Sequence, residues 1–191
     1  MKQSYHHGNL RQELIEAGIQ AVQRDGIEKL SLRKLAALCG VSEAAPYSHF
    51  SNKEELLSAM QDHVAEQLMQ YLKEAEEHTE DPDSPRAILN MGKAYVLFFM
   101  EYPEYYSFLF MQQPVKIDLS AAGNAESFPP FQYYRDKVYQ VYRKEGMSEK
   151  RIQCGMIAMW AKVHGVAAIT SMKSVTRDFE WEAVLNEILV E

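Results

Sequence analysis

The sequence predicts an all-α protein. An N-terminal three-helix helix-turn-helix domain is joined by a long helix to a larger helical domain, about nine helices in all. Three observations carry this: apolar residues recur at helical spacing, each such run is bounded by capping or breaking residues, and no stretch alternates as a half-buried strand would.

Taken in order, Asn9 is placed to cap a helix from Leu10 to about Arg24, with Leu14, Ala17 and Ala21 on its apolar stripe; Asp25-Gly26 ends it. Ser31 caps a short second helix carrying Leu32, Leu35 and Ala36, and Cys39-Gly40-Val41 forms a turn. Ser42 then caps a third helix of about two turns, and Asn52 a long one with Leu57, Met60, Val64, Leu68 and Tyr71 along one side. The acidic stretch Glu74–Pro85 reads as a solvated helix end and loop. Ser84-Pro85 restarts a helix to Tyr102, Pro103 breaks it, and a short aromatic helix covers Glu104–Met111. Residues 112–130 form a long loop. Helices follow over Phe131–Lys144, Ser148 to about Met172, and Phe179–Leu189.

The chain has 191 residues, 47% hydrophobic and 25% charged, enough for a core without staples. Two cysteines, Cys39 and Cys154, exclude a disulfide framework and fit a reducing cytoplasm. The N-terminus lacks an apolar export segment, so the expected location is cytoplasmic. A net charge of −7 argues against nucleic acid until its distribution is read. Residues 1–53 carry seven Lys and Arg against five Asp and Glu; the remainder carries thirteen against twenty-two. The N-terminal end is therefore mildly basic, and the acidity belongs to the rest of the chain.

Residues 154–172 are long and apolar enough to raise the question of a membrane span. Lys162 and His164 at the midpoint argue against it, since a cation at a helix centre costs about 2.5–3.5 kcal/mol or more. One side of this helix carries the small residues Cys154, Ala158, Ala161, Gly165 and Ala168; another carries Ile152, Met156, Met159, Val163 and Val166. The large stripe fills the subunit core. The small one admits a second helix closely and is read as the dimer interface, the alternative being burial within one subunit.

Ser31–Phe50 places two short helices around a Gly-containing turn, the helix-turn-helix signature, whose second helix fits the DNA major groove when held rigidly. Here the sequence resembles the TetR family of bacterial transcriptional regulators. Gly-Val-Ser at 40–42 and Tyr-Ser-His-Phe-Ser-Asn-Lys-Glu-Glu-Leu-Leu at 47–57 look like the family's central motif, and Gly26–Ala36 its upstream half. The opening Tyr5–Leu10 looks like one branch of the family. Trp160, His164 and Gly165 resemble the C-terminal domain type named after those three residues. Pro46 departs from the helix-friendly residue most members carry, costing at most one backbone hydrogen bond. The resemblance implies a homodimer that binds a palindromic operator in double-stranded DNA, represses transcription, and is released by a small-molecule effector. It places the DNA-binding domain at residues 1–68 and the ligand-binding and dimerisation domain at 69–191.

Within the DNA-binding set, the Glu43 carboxylate can accept from a cytosine amine or simply favour a helix N-terminus. Ala44 and Ala45 can touch thymine methyls or leave room for the backbone. Tyr47 matches a DNA-contacting position, or braces the third helix; Ser42 and Ser48 flank it. His49 donates to a phosphate or caps locally. Lys53, at a helix start, is the strongest phosphate candidate, followed by Arg33 and Lys34 with Ser31 at their cap. Lys2, Tyr5, His6 and His7 form a candidate arm.

A ligand pocket is read from the aromatic and Met density of Tyr95, Phe98, Phe99, Tyr102, Tyr106, Phe110, Tyr134, Met156, Met159, Trp160 and His164. Any one of these can equally be core, and His164 can be a satisfied core histidine stacked on Trp160. No cofactor, metal site or membrane partner is implied. An enzyme has little support: Cys154 and His164 stand roughly 15 Å apart along one helix, too far for a nucleophile–base pair. A helical interaction module without specific DNA binding is the main alternative.

Overall fold

The computed structural model describes residues 10–123, 126–172 and 174–190. Its α-helices are α1 (Leu10–Asp25), α2 (Leu32–Leu38), α3 (Lys53–Glu77), α4 (Pro85–Glu101), α5 (Pro103–Ser107), α6 (Pro129–Lys144), α7 (Glu149–Thr170) and α8 (Trp181–Val190), with no strand among the described residues. The ninth expected helix, at Ser42–His49, is instead a single 3-10 turn over Ala45–Ser48. Pro46 is the reason: it has no N–H to give, and the Pro46 carbonyl takes both the His49 and Phe50 N–H groups at 3.0 Å, closing the turn at once. The expected arm (Lys2, Tyr5, His6, His7) and the Asn9 cap lie outside the described residues.

The chain divides into two compact units, residues 1–64 with 107–114, and residues 65–106 with 115–191. In the first, α1 stops where Gly26 takes φ +84° and its N–H closes on the Val22 carbonyl at 2.8 Å. Ser31 caps α2 by accepting from the Lys34 N–H at 3.2 Å. Gly40, at φ +68°, turns the chain after α2, and the Val41 N–H returns to the Ala36 carbonyl at 3.0 Å. Asn52 accepts from the Glu55 N–H at 2.8 Å, while the Glu55 carboxylate accepts from the Ser51 N–H at 2.7 Å. That bond holds the Glu55 carboxyl below its usual range. Leu14, Ile15, Ile19, Leu35, Phe50, Leu56 and Met60 form the closed core. Residues 107–114 join this unit: Phe108 and Leu109 are buried, and the Gln61 side chain donates to the Gln113 carbonyl at 2.9 Å. A π-helical turn over Phe108–Gln112 replaces the last turn of the expected aromatic helix.

In the second unit α4, α6 and α7 pack on one another, and α8 packs on α4 and α7. The α4–α7 approach depends on Gly92, where a Cβ would meet a Val163 methyl at 3.1 Å. The acidic stretch across the end of α3 is not simply solvated. Glu76 and Asp83 hold the buried Lys137 ammonium at 2.6 and 3.1 Å, and Asp83 also pairs with Lys144. A buried ammonium needs such partners, because an unpaired charge there is costly.

α7 is long and apolar enough to cross a membrane by length and composition alone. Within its unit it buries Ile152, Met156, Val163, Val166 and Ala167.

Candidate functional site

The candidate DNA face lies in the first unit. Ser31, Arg33, Ser42, Glu43, Ala44, Tyr47 and Ser48 are exposed, while Lys34, Ala45, His49 and Lys53 are half-buried. Tyr47 stands out with 55% of its surface exposed, because the 3-10 turn pins its buried neighbour Pro46 inward. Ser48 donates to the Ala45 carbonyl at 2.7 Å and so tightens the turn.

The cations of this face are already engaged. Arg33 pairs with Glu43 at 2.9 Å, tying α2 to the residue before the reading turn. Lys34 pairs with Asp25 at 2.5 Å, and Arg24 meets the same carboxylate at 3.0 Å. Together they hold the Asp25 carboxyl far below its ordinary range. Lys53 donates to the Ile27 carbonyl at 2.7 Å. It therefore ties the start of α3 to the turn before α2 with one of its three donors, leaving others for a phosphate. Exposed pairs such as Arg33–Glu43 contribute about 0.2–1 kcal/mol, little enough for a phosphate to displace.

Sequence reasoning missed Arg11, whose guanidinium lies 5.3 Å from the centroid of the Phe50 ring at the end of the reading turn. Its position on the polar side of α1 was the available signal.

The candidate effector region lies in the second unit, with one correction. Phe110 sits on the π-helical turn of the first unit, because the chain there turns to bury Phe108 and Leu109. Phe98 and Phe99 are wholly buried, their rings edge to face at 5.0 Å, and so belong to packed core rather than a cavity wall. Tyr102 stacks on Tyr105 at 5.1 Å.

His164 is bracketed by two phenols: Nδ1 lies 2.8 Å from the Tyr95 hydroxyl and Nε2 lies 3.1 Å from that of Tyr106. Trp160 stacks on its ring at 4.9 Å. Burial pushes the His164 pKa down and both tyrosine pKa values up. A neutral imidazole therefore donates to one phenol and accepts from the other, the arrangement of a satisfied core histidine.

An open cavity of about 240 Å³ lies elsewhere in this unit, between α4, α6 and the first half of α7. Tyr134, Met156 and Met159 of the expected set line it, together with Ile88, Val138, Tyr142 and Arg151. Val138 and Tyr142 were legible as the continuation, four residues apart, of the stripe that starts at Tyr134. The Tyr134 hydroxyl donates to the Met156 carbonyl at 3.3 Å.

On α7, Cys154, Ala158 and Ala161 are exposed, and Gly165 and Ala168 are partly so. A Cβ at Gly155 or Gly165 would meet nothing within 4 Å. Ile169 and Met172 continue the exposed apolar surface, at 42% and 48% exposure. Among the described residues no group of three or more His, Cys, Asp or Glu is placed to hold a metal.

Residues 14–60 match the family model of bacterial regulatory proteins, tetR family. Over 71 residues the chain is 38% identical to the HTH-type nicotine-responsive transcriptional repressor HdnoR of Paenarthrobacter nicotinovorans, covering 37% of each chain. Over 62 residues it is 37% identical to the nucleoid occlusion factor SlmA of Yersinia pseudotuberculosis, covering 32% of this chain and 31% of that one. The match thus spans about a third of these relatives' length. Solved structures share the fold across the whole chain. The fatty acid degradation regulator FadR from Bacillus halodurans aligns with a TM-score of 0.71 at 11% identity, covering 99% of this chain and 95% of that one. The TetR family transcriptional regulator PfmR from Thermus thermophilus aligns at 0.63 and 18% identity, covering 93% and 97%.

Proposed function

We propose, from the premise that this chain belongs to the TetR family of bacterial regulatory proteins, that it is a DNA-binding transcriptional repressor acting in the cytoplasm. As a homodimer it binds a palindromic operator and is released by a small apolar or aromatic ligand. The observation that carries this reading is the turn at residues 42–49. It presents Ser42, Glu43, Ala44, Tyr47 and Ser48 to solvent on a buried support, with only Ser48 and Glu43 making local bonds. In the groove Glu43 and Tyr47 face base edges, while Arg33, Lys34, Lys53 and Ser31 hold phosphates.

The exposed small-residue surface of α7 supports dimerisation, since a partner helix can approach closely along Ala158 and Ala161. The stacked Trp160–His164 pair, followed by Gly165, supports the C-terminal domain type named after these residues. The resemblance to a nicotine-responsive repressor supports repression; it covers only 37% of the chain and carries nothing about the effector. Release requires only that the ligand prefer the dimer with its DNA-binding parts out of register, since a ligand shifts an equilibrium by its differential affinity.

The test is selection of bound sequences from random duplex DNA by the full chain. Recovery of one palindromic family of sites is expected. Lys53→Ala should then weaken binding to all sequences and flatten the salt dependence. Recovery of no palindrome at low or moderate salt would remove the reading.

A further inference from the structure

The cavity between α4, α6 and α7 holds an asymmetry that its apolar lining does not explain. Val138, Ile152, Met156 and Met159 form a greasy wall, yet the exposed Arg151 borders the same cavity at its solvent side. Four cations bracket the turn from α6 to α7: Arg143, Lys144, Lys150 and Arg151. Arg143 is taken by Glu149 at 2.7 Å, and Lys144 by Asp83. Arg151 has no ion pair among the described residues, and no Asp or Glu lines the cavity. Tyr142 also lines it, half-buried, and burial with nearby Glu145 raises its pKa, so its hydroxyl keeps its proton and is a donor. Arg151 and the Tyr142 hydroxyl thus border a mainly apolar space whose lining supplies no carboxylate, while the Tyr134 hydroxyl is already turned to the Met156 carbonyl.

We propose that this cavity is the effector site and that the effector is a small apolar carboxylic acid. Its hydrocarbon part lies among Val138, Ile152, Met156 and Met159; its carboxylate accepts from Arg151 and from the Tyr142 hydroxyl. The inference rests on the reading of the second unit as the ligand-responsive part. A cationic ligand meets like charge at Arg151 and no acid to pair with. A neutral one leaves the guanidinium without the charge-assisted bond that planar Arg makes best with a carboxylate. At about 240 Å³ the space is below the ordinary range of drug-sized pockets, which favours a single ring or a short chain. Gly155, one turn beyond Arg151, also lines the cavity, and a Cβ there would meet nothing within 4 Å.

Calorimetry on the whole chain tests this with hexanoate, 3-phenylpropionate and benzoate, each beside its primary amide. At least one acid should bind tighter than its amide by about ten- to a hundredfold, the range expected of a hydrogen bond to a charged group. Arg151→Gln should erase that preference and Arg151→Lys should restore part of it. Val138→Trp, which fills the space, should abolish binding of acid and amide alike, with thermal unfolding confirming that each variant is folded. Equal binding of every acid and its amide overturns the proposal. So does a preference that survives in Arg151→Gln, or failure of all three acids to bind at millimolar concentration. A palindromic operator recovered alongside any of these would leave the DNA-binding reading standing and remove only the ligand assignment.

Discussion

The two units bury different kinds of matter. The first closes on aliphatic side chains, Leu14, Ile15, Ile19, Leu35 and Leu56, with Phe50 and Phe108 as its fully enclosed rings. The second encloses Phe98, Phe99, Tyr95, Tyr105, Tyr106 and Tyr134, and sets polar groups among them: His164 between two phenols, Lys137 between two carboxylates. Among the described residues, the buried side-chain polar atoms without a hydrogen-bond partner, Arg135 Nη1 and the Tyr139 hydroxyl, also lie in the second unit. An aliphatic core holds a short reading turn in one pose. A core with internal polar networks is specified by its hydrogen-bond pairings, and each group that loses its partner there is costly.

Truncation in the cores tests that contrast most strongly. Leu35→Ala should cost about 2–5 kcal/mol and Phe98→Ala about 3–5 kcal/mol, each read by chemical denaturation. Leu35→Ala should also abolish operator binding. A cost below about 1 kcal/mol at Leu35 would contradict a tightly closed reading unit.

Next in size, Ala161→Arg places a charge on the exposed stripe of α7; with the proposed interface there, light scattering should find the native chain dimeric and the variant monomeric, with weaker operator binding. A variant still dimeric would move the interface elsewhere.

A smaller effect depends on pH. Burial holds the folded pKa of His164 below its ordinary value near 6.5, so below that pH the unfolded chain binds the proton first. Stability of the second unit is therefore full above about pH 6.5 and declines as pH falls through the folded pKa. The depressed carboxyls of Asp83 and Glu101 lose their contribution only below their own ordinary range, near pH 4. Denaturation midpoints at pH 7.5 and 5.5 should differ for the native chain and converge in His164→Gln. An undiminished difference in the variant would assign the pH dependence to other groups.

Least of all should Glu43→Gln change stability, since Glu43 and its partner Arg33 are both exposed. Its effect should appear as altered base preference in the selected sites. A uniform loss across sequences would show that Glu43 serves only to hold Arg33.

The legibility of the molecule followed the range of the interactions involved. Helix α1 was readable from Leu14, Ile15 and Ile19 and from Gly26, and α2 from Ser31, because periodicity and caps act over a few neighbouring residues. The reading turn was located correctly but given the wrong geometry, because the local effect of Pro46 extends to the closure at Phe50. In the second unit aromatic density does not divide cavity from core. Phe98 and Phe99 are sealed in the core while Tyr134 and Met159 line a cavity, a distinction set by which helices meet.

The sequence by itself determined that the chain is helical, where most helices begin and end, which turn is offered to a partner, and that the acidity lies away from it. Only the tertiary structure decided that Lys53 is tied to Ile27, that Phe110 belongs to the first unit, that His164 is satisfied by Tyr95 and Tyr106, and that Arg151 lines a cavity. The physical reason is one of distance along the chain. Helical periodicity, caps and turns are satisfied by residues within about four positions of one another. The partner of a buried polar group or the wall of a cavity comes from a helix tens of residues away, as Tyr95 does for His164.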